Sequence, residues 1–255
     1  RAALAAIHDD ADGENVVVDL DHSPKVWTYV WRFSLALFET NARSEIGSIC
    51  VPARSWHISF HDDVLCSPEA VAKAMSESKL YFISTDELDE SAFAPITTFG
   101  DLIVYRIVDV ASLFSRFDPK SHEANYVQAL LFGEGWGRVE PSRVWQMEKE
   151  VTLNLFVAAS AEDRHAEVLI GAFIPDETLR QHVQVLANGV PVDDFVFTNK
   201  LQGRAVTIAL PADETDRIMT VAFRVDELRS PDDWIGSGDK RMLGINLRRM
   251  RIVTG

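Results

Sequence analysis

Through most of the second half of the chain, apolar and polar positions alternate with a period of two. Glu150–Val157 sets the pattern, with Val151, Leu153 and Leu155 interleaved by Thr152 and Asn154. Similar runs at 167–173, 182–187, 205–210, 218–225 and 243–247 predict further strands separated by turn residues. Asn188-Gly189, after the third run, signals a hairpin because both residues tolerate positive φ. Short strands at this spacing suit two antiparallel sheets packed face to face.

The first half follows a different rhythm. Residues 15–20 read as an apolar strand, after which Ser23 caps and Pro24 opens a helix to about Thr40. Val26, Val30, Phe33, Leu37 and Phe38 fall on one face of that helix, with Trp27 and Trp31 on an adjoining one. A strand at 46–51, a helix from Ser67-Pro68 to Ser78, and strands at 80–84 and 102–108 follow. Strand, helix and strand in succession predict parallel strands joined by crossover helices. Periodicity weakens between Asp109 and Leu131, around a turn at Asp118-Pro119. The expected fold is therefore α/β plus all-β: a small Rossmann-like α/β domain over 1–115, then an antiparallel jelly-roll-like β-sandwich over 116–255.

Composition narrows the function classes. With 47% apolar and 25% charged residues, the 255-residue chain has the balance of a folded globular protein. Its net charge of −14 excludes a nucleic-acid partner, since phosphate binding needs a positive field. Residues 134–255 hold 15 Lys and Arg against 19 Asp and Glu, so the acidity concentrates in the first half. No run approaches the ~20 apolar residues of a membrane span. The cysteines, Cys50 and Cys66, are read as two free thiols or one bridge; a single pair in a chain this long is no disulfide framework. Neither has metal-ligand spacing, and no cofactor or metal is expected.

The junction between the halves opens with Gly133-Glu134-Gly135-Trp136-Gly137-Arg138-Val139-Glu140, followed by Trp145. Gln184-Val185-Leu186-Ala187-Asn188-Gly189 lies in mid-domain, and Ser230-Pro231 precedes Asp239-x-Arg241-x-Leu243-Gly244-Ile245. Over about residues 131–253 this combination resembles the extracytoplasmic β-sandwich domains of bacterial membrane glycosyltransferases and surface-polysaccharide proteins. The chain departs from that pattern at Val144-Trp145-Gln146, where many relatives show Trp followed by a small hydroxyl residue. The resemblance implies a periplasmic location and an upstream transmembrane region as partner. It implies a non-catalytic accessory or carbohydrate-recognition role toward a glycan or lipid-linked sugar. The chain starts at Arg1 rather than Met, and the resemblance puts catalysis in a segment before it.

Several residue groups bear on chemistry. Trp136 and Trp145 suit a sugar platform, with Arg138, Glu140 and Gln146 bonding hydroxyls, because an indole face stacks on the C–H face of a pyranose. The same rings suit a plug at one end of the sandwich, and both readings stand. Asp239 and Arg241 are expected to pair with each other or with Glu140 and Arg138, tying the last loop to the entry loop. The basic run Arg248-Arg249-Met250-Arg251 is either solvated or directed at an anionic surface. Asp19 and Asp21, ending an apolar strand as Asp-x-Asp, resemble the first motif of the haloacid-dehalogenase phosphatases, which implies a metal-dependent hydrolase or transferase as the alternative function, beside a purely structural domain that oligomerises through the sandwich. The rest of that signature is absent, and the alternative is a strand end whose carboxylates and Ser23 cap the next helix. His57 and His61 with Asp62 or Asp63 form a weaker metal candidate.

Overall fold

The computed structural model describes residues 6–7, 9–10, 16–20, 79–88, 90–121, 124–215 and 217–254. The expected elements between 21 and 78 lie outside the described residues, together with Asp21, Cys50, His57, His61, Asp62, Asp63 and Cys66. The chain divides into two compact units, Arg1–Leu113 and Phe114–Gly255.

In the first unit, β1 (Val16–Leu20), β2 (Lys79–Ser84), β3 (Phe93–Phe99) and β4 (Leu102–Ile107) form one sheet in the order β1-β2-β4-β3. β1 and β2 are parallel, as their run of apolar residues predicts, with Asp19 opposite Phe82. β4, however, runs antiparallel to β2, and β3 pairs antiparallel with β4. The sheet is thus mixed rather than all parallel. The physical reason is the Gly100-Asp101 turn, which joins Phe99 directly to its register partner Leu102. Gly100 sits at φ 60 there, and a two-residue loop leaves room only for chain reversal. β3 itself escapes sequence recognition because Pro95 interrupts it; the register shifts between Pro95 and Thr97, and the strand lies at the sheet edge, where a missing N–H is tolerated. Tyr81, Ile83 and Val104 pack with Ile7 in one buried cluster, while Phe82, Phe93 and Tyr105 stack in another.

α1 (Val110–Phe114) spans the boundary between the units, and no helix among the described residues is long and apolar enough to cross a membrane. The second unit begins with β5 (Arg116–Phe117) and α2 (Ala124–Leu131). It continues through β6 (Trp136–Glu140), β7 (Arg143–Gln146), β8 (Glu150–Val157), β9 (Arg164–Ala172) and β10 (Gln181–Ala187). β11 (Val190–Phe197), β12 (Gly203–Leu210), β13 (Arg217–Val225), α3 (Pro231–Ile235) and β14 (Ile245–Thr254) complete it. Two antiparallel sheets result, β11-β10-β13-β8 and β12-β9-β14-β7-β6, with β5 paired to β14.

Alternation dictates which face is buried. In β12, Val206, Ile208 and Leu210 are buried while Ala205, Thr207 and Ala209 are exposed. Val183 and Val185 of β10, Leu153 and Leu155 of β8, and Val168 and Ile170 of β9 are all fully buried. Burying one such Val, Leu or Ile side chain stabilises the fold by ~1.5–3 kcal/mol. The sheets meet across this core, since Trp136 of β6 packs edge-on against Phe223 of β13 at 6.3 Å. Arg204 of β12 also lies 4.2 Å over the Phe195 ring of β11 while bonding Asp193.

Candidate functional site

The β6–β7 hairpin carries the residues singled out in the sequence. Gly135 enters it at φ 85, where a Cβ would stand 2.9 Å from Val151 Cγ1, so only glycine fits without strain. Trp136 pairs across the hairpin with Gln146, and its ring packs against Phe132 at 5.2 Å as well as Phe223. Its indole Nε1–H donates to the Thr152 carbonyl of the opposite sheet at 2.9 Å. The ring therefore closes one end of the core.

Trp145 precedes Gln146 by one residue, so it projects from the other side of the same strand. It lies opposite Asn246 on the face away from the core, 7% exposed, with the Arg143 guanidinium 5.5 Å over its ring. The hairpin thus brings the two indoles close in sequence but separates them by the thickness of a sheet, and no single ligand stacks on both. Gln146, expected to reach sugar hydroxyls, is 0% exposed. Its Nε2 donates to the Phe223 carbonyl at 3.3 Å and its Oε1 accepts from Ile245 N–H at 3.2 Å.

Arg138 is exposed on β6, and Glu140 ends that strand. The Glu140 carboxylate accepts from Arg241 Nη1 at 2.6 Å. Arg241 also grips Asp239, through Nη2 at 2.7 Å and Nε at 3.0 Å. One guanidinium therefore ties the loop before β14 to the entry hairpin. These charge-assisted bonds hold the Asp239 carboxyl below the usual carboxylate range and push the guanidinium's own pKa upward.

The tied loop displays a residue that sequence reasoning passed over. Pro231 opens α3 after Ser230, and Gly236 closes it at φ 61 by donating to the Asp232 carbonyl. Gly238 N–H then donates to Asp232 Oδ1 at 2.8 Å, and Asp232 N–H to the Asp239 carbonyl at 2.9 Å. Held this way, the loop leaves Trp234 47%, Ile235 59% and Met242 46% exposed. The available signal was an indole among Asp232, Asp233, Gly236 and Gly238, a stretch with no periodic apolar partners to bury it.

The basic run lies on the last strand, with Arg249 and Arg251 exposed. β14 extends through it to Thr254, Met250 points into the core, and Arg251 bonds Glu167 at 2.6 Å. Arg249 is exposed while Arg248 lies back against the sheet, so the arginines do not form one basic face. Among the described residues, no group of three or more His, Cys, Asp or Glu is placed to hold a metal ion.

No family model matches the sequence, and no curated protein matches it. Solved structures with a likeness to the fold include a family 35 carbohydrate binding module from an environmental isolate, at 15% identity and TM-score 0.26, covering 48% of this chain and 75% of that one. A native family 35 carbohydrate binding module from Clostridium thermocellum shows 10% identity and TM-score 0.30, with 47% and 87% covered. Dimeric latent PorU from Porphyromonas gingivalis shows 10% identity and TM-score 0.33, with 62% of this chain and 16% of that one covered. Likenesses of this degree assign neither a ligand nor a reaction to the chain.

Proposed function

We propose that the second unit is a non-catalytic, jelly-roll-like carbohydrate-recognition module, an accessory part of a larger membrane glycosyltransferase or surface-polysaccharide assembly protein. The observation that carries the recognition role is Trp234: a half-exposed indole on a loop braced by Arg241. Stacking on a pyranose needs an aromatic face that is already solvent-accessible and already held, because ordering a free side chain on binding costs about 0.5–1.5 kcal/mol. Trp145 is buried, and the partly exposed Trp136 has its ring packed edge-on between Phe132 and Phe223 with its Nε1–H committed to Thr152. In this reading Trp234 is the platform, Arg138 supplies a polar contact, and Glu140 serves through its grip on the loop.

The test is calorimetric titration of the whole chain with hexaoses of glucose, mannose and xylose, beside a Trp234→Ala variant. At least one hexaose should bind, and the variant should weaken it about tenfold or more, a loss of ~1.4 kcal/mol, with an unchanged melting temperature. Equal binding by the variant, or no heat with any hexaose, would remove the site.

A further inference from the structure

The outer face of the larger sheet carries a second feature, independent of the Trp234 loop. Cross-strand partners share a face, so Gly203, Gly171, Asn246 and Trp145 form one row across β12, β9, β14 and β7. Their neighbours Ile170, Ile245, Leu247 and Val144 point the other way, into the core. The β9–β14 register shifts between Leu247 and Arg249, leaving Arg248 as an inserted residue. Such a bulge bends the strand and re-aims one side chain.

Arg248 is re-aimed onto the row itself. Its Nε donates to Asn246 Oδ1 at 3.1 Å, and its Nη2 reaches the Gln202 carbonyl at 3.3 Å. A Cβ on Gly171 would lie 2.6 Å from Nη2 and 2.8 Å from the Gln202 carbonyl, and one on Gly203 would lie 3.3 Å from Nη1. The two glycines are thus the floor on which the guanidinium rests. Two donor groups on this row are left over. Arg248 has no carboxylate partner among the described residues, in a chain that carries 39 Asp and Glu. Asn246 is 0% exposed, yet its Nδ2 has no hydrogen-bond partner among the described residues. A buried amide donor left unpaired costs about 1–3 kcal/mol, a cost that a bound acceptor would offset.

We propose that Arg248 and Asn246 form a binding site for a carboxylate, with the free guanidinium N–H groups and the Asn246 amide as donors and Trp145 as the adjoining apolar wall. A carboxylate suits this set because its two acceptor oxygens match a planar fork of donors. The carboxylate belongs either to an acidic sugar or to a small free acid. Titration of the whole, isotope-labelled chain with glucuronate, acetate, glucose and inorganic phosphate distinguishes these sources, read from the Asn246 side-chain amide resonance.

Glucuronate is expected to move that resonance saturably, and glucose to leave it in place. Acetate matching glucuronate would make the ligand a free acid; glucuronate binding more tightly would make it a sugar acid. Arg248→Ala should weaken binding about tenfold or more. Arg248→Lys, which keeps the charge and the stem but loses the fork, should fall between, and serves if the alanine variant does not fold. Gly203→Ala, whose Cβ would stand 3.3 Å from Nη1 with the nearest backbone atom 3.7 Å away, should shift the guanidinium on its floor and weaken binding without removing a polar group. Trp234→Ala should leave carboxylate binding intact and Arg248→Ala should leave hexaose binding intact, so the two sites fail separately. No response to either carboxylate, tighter binding of phosphate, or wild-type affinity in folded Arg248→Ala would overturn the proposal.

Discussion

Replacing Gln146 with alanine separates a surface sugar contact from a core device. The side chain is fully buried and bridges the sheets, from the Phe223 carbonyl of β13 to the Ile245 N–H of β14. Alanine would strip one bond from each of these backbone groups inside a dry core. At about 1–3 kcal/mol for each group left unsatisfied, the expected loss is about 2–6 kcal/mol. For a unit of this size that corresponds to a fall in melting temperature of ~5–15 °C. Differential scanning calorimetry on the whole chain, with near-ultraviolet circular dichroism following the tryptophans, would measure it. Gln146→Glu sharpens the test. Burial disfavours the charged form, so the new carboxyl's folded pKa should rise above its unfolded value of about 4.3. Protonated, it is tolerated at low pH; as pH climbs past the unfolded pKa the unfolded state releases its proton more readily, and stability falls. The Glu variant should therefore melt lower at pH 7 than at pH 4, measured against wild type at each pH. An alanine variant melting within ~2 °C of wild type, with weakened hexaose binding instead, would refute the buried bridge.

Two further outcomes follow from the same geometry. Trp136→Ala should destabilise the sandwich by about 3 kcal/mol, from lost packing on Phe132 and Phe223 and the lost indole bond to the Thr152 carbonyl, which keeps the bond from Gly133 N–H, readable by urea unfolding. Arg241→Ala should barely move the global melting temperature, because partly exposed pairs contribute only ~0–1 kcal/mol, yet should speed amide exchange at Asp232 and Gly238. Asp239 has a depressed folded pKa, so its contribution is present above the unfolded value of about 3.9 and is lost as pH falls through the lower folded value. The loop's exchange protection should consequently persist below pH ~4 in the wild type and be absent there in the variant.

What the sequence determined by itself was local. The Val151, Leu153, Leu155 alternation placed β8 from Glu150 to Val157, the bounds the structure shows, because a period of two on a half-buried strand is written in adjacent residues. Asn188-Gly189 reversed the chain between β10 and β11, with both residues at positive φ, for the same reason. Asp239, Arg241 and Glu140 were legible as a charge tie, since complementary groups flank two loops that a sandwich gathers at one end. What depended on tertiary structure was direction, face and cover. β6 and β7 are too short to show a period and become strands only through their pairing with each other and with β14. The opposite facing of Trp136 and Trp145 follows from a register that shifts within the β6–β7 hairpin, and a one-residue change there would exchange inside for outside. Arg248 turns back over Gly171 and Gly203 because a bulge is defined by two strands, not one. Trp234 is half-exposed for a similar reason: its exposure is set by the contacts that close its loop, through Asp232, Asp239 and Arg241, and no neighbour in sequence records that.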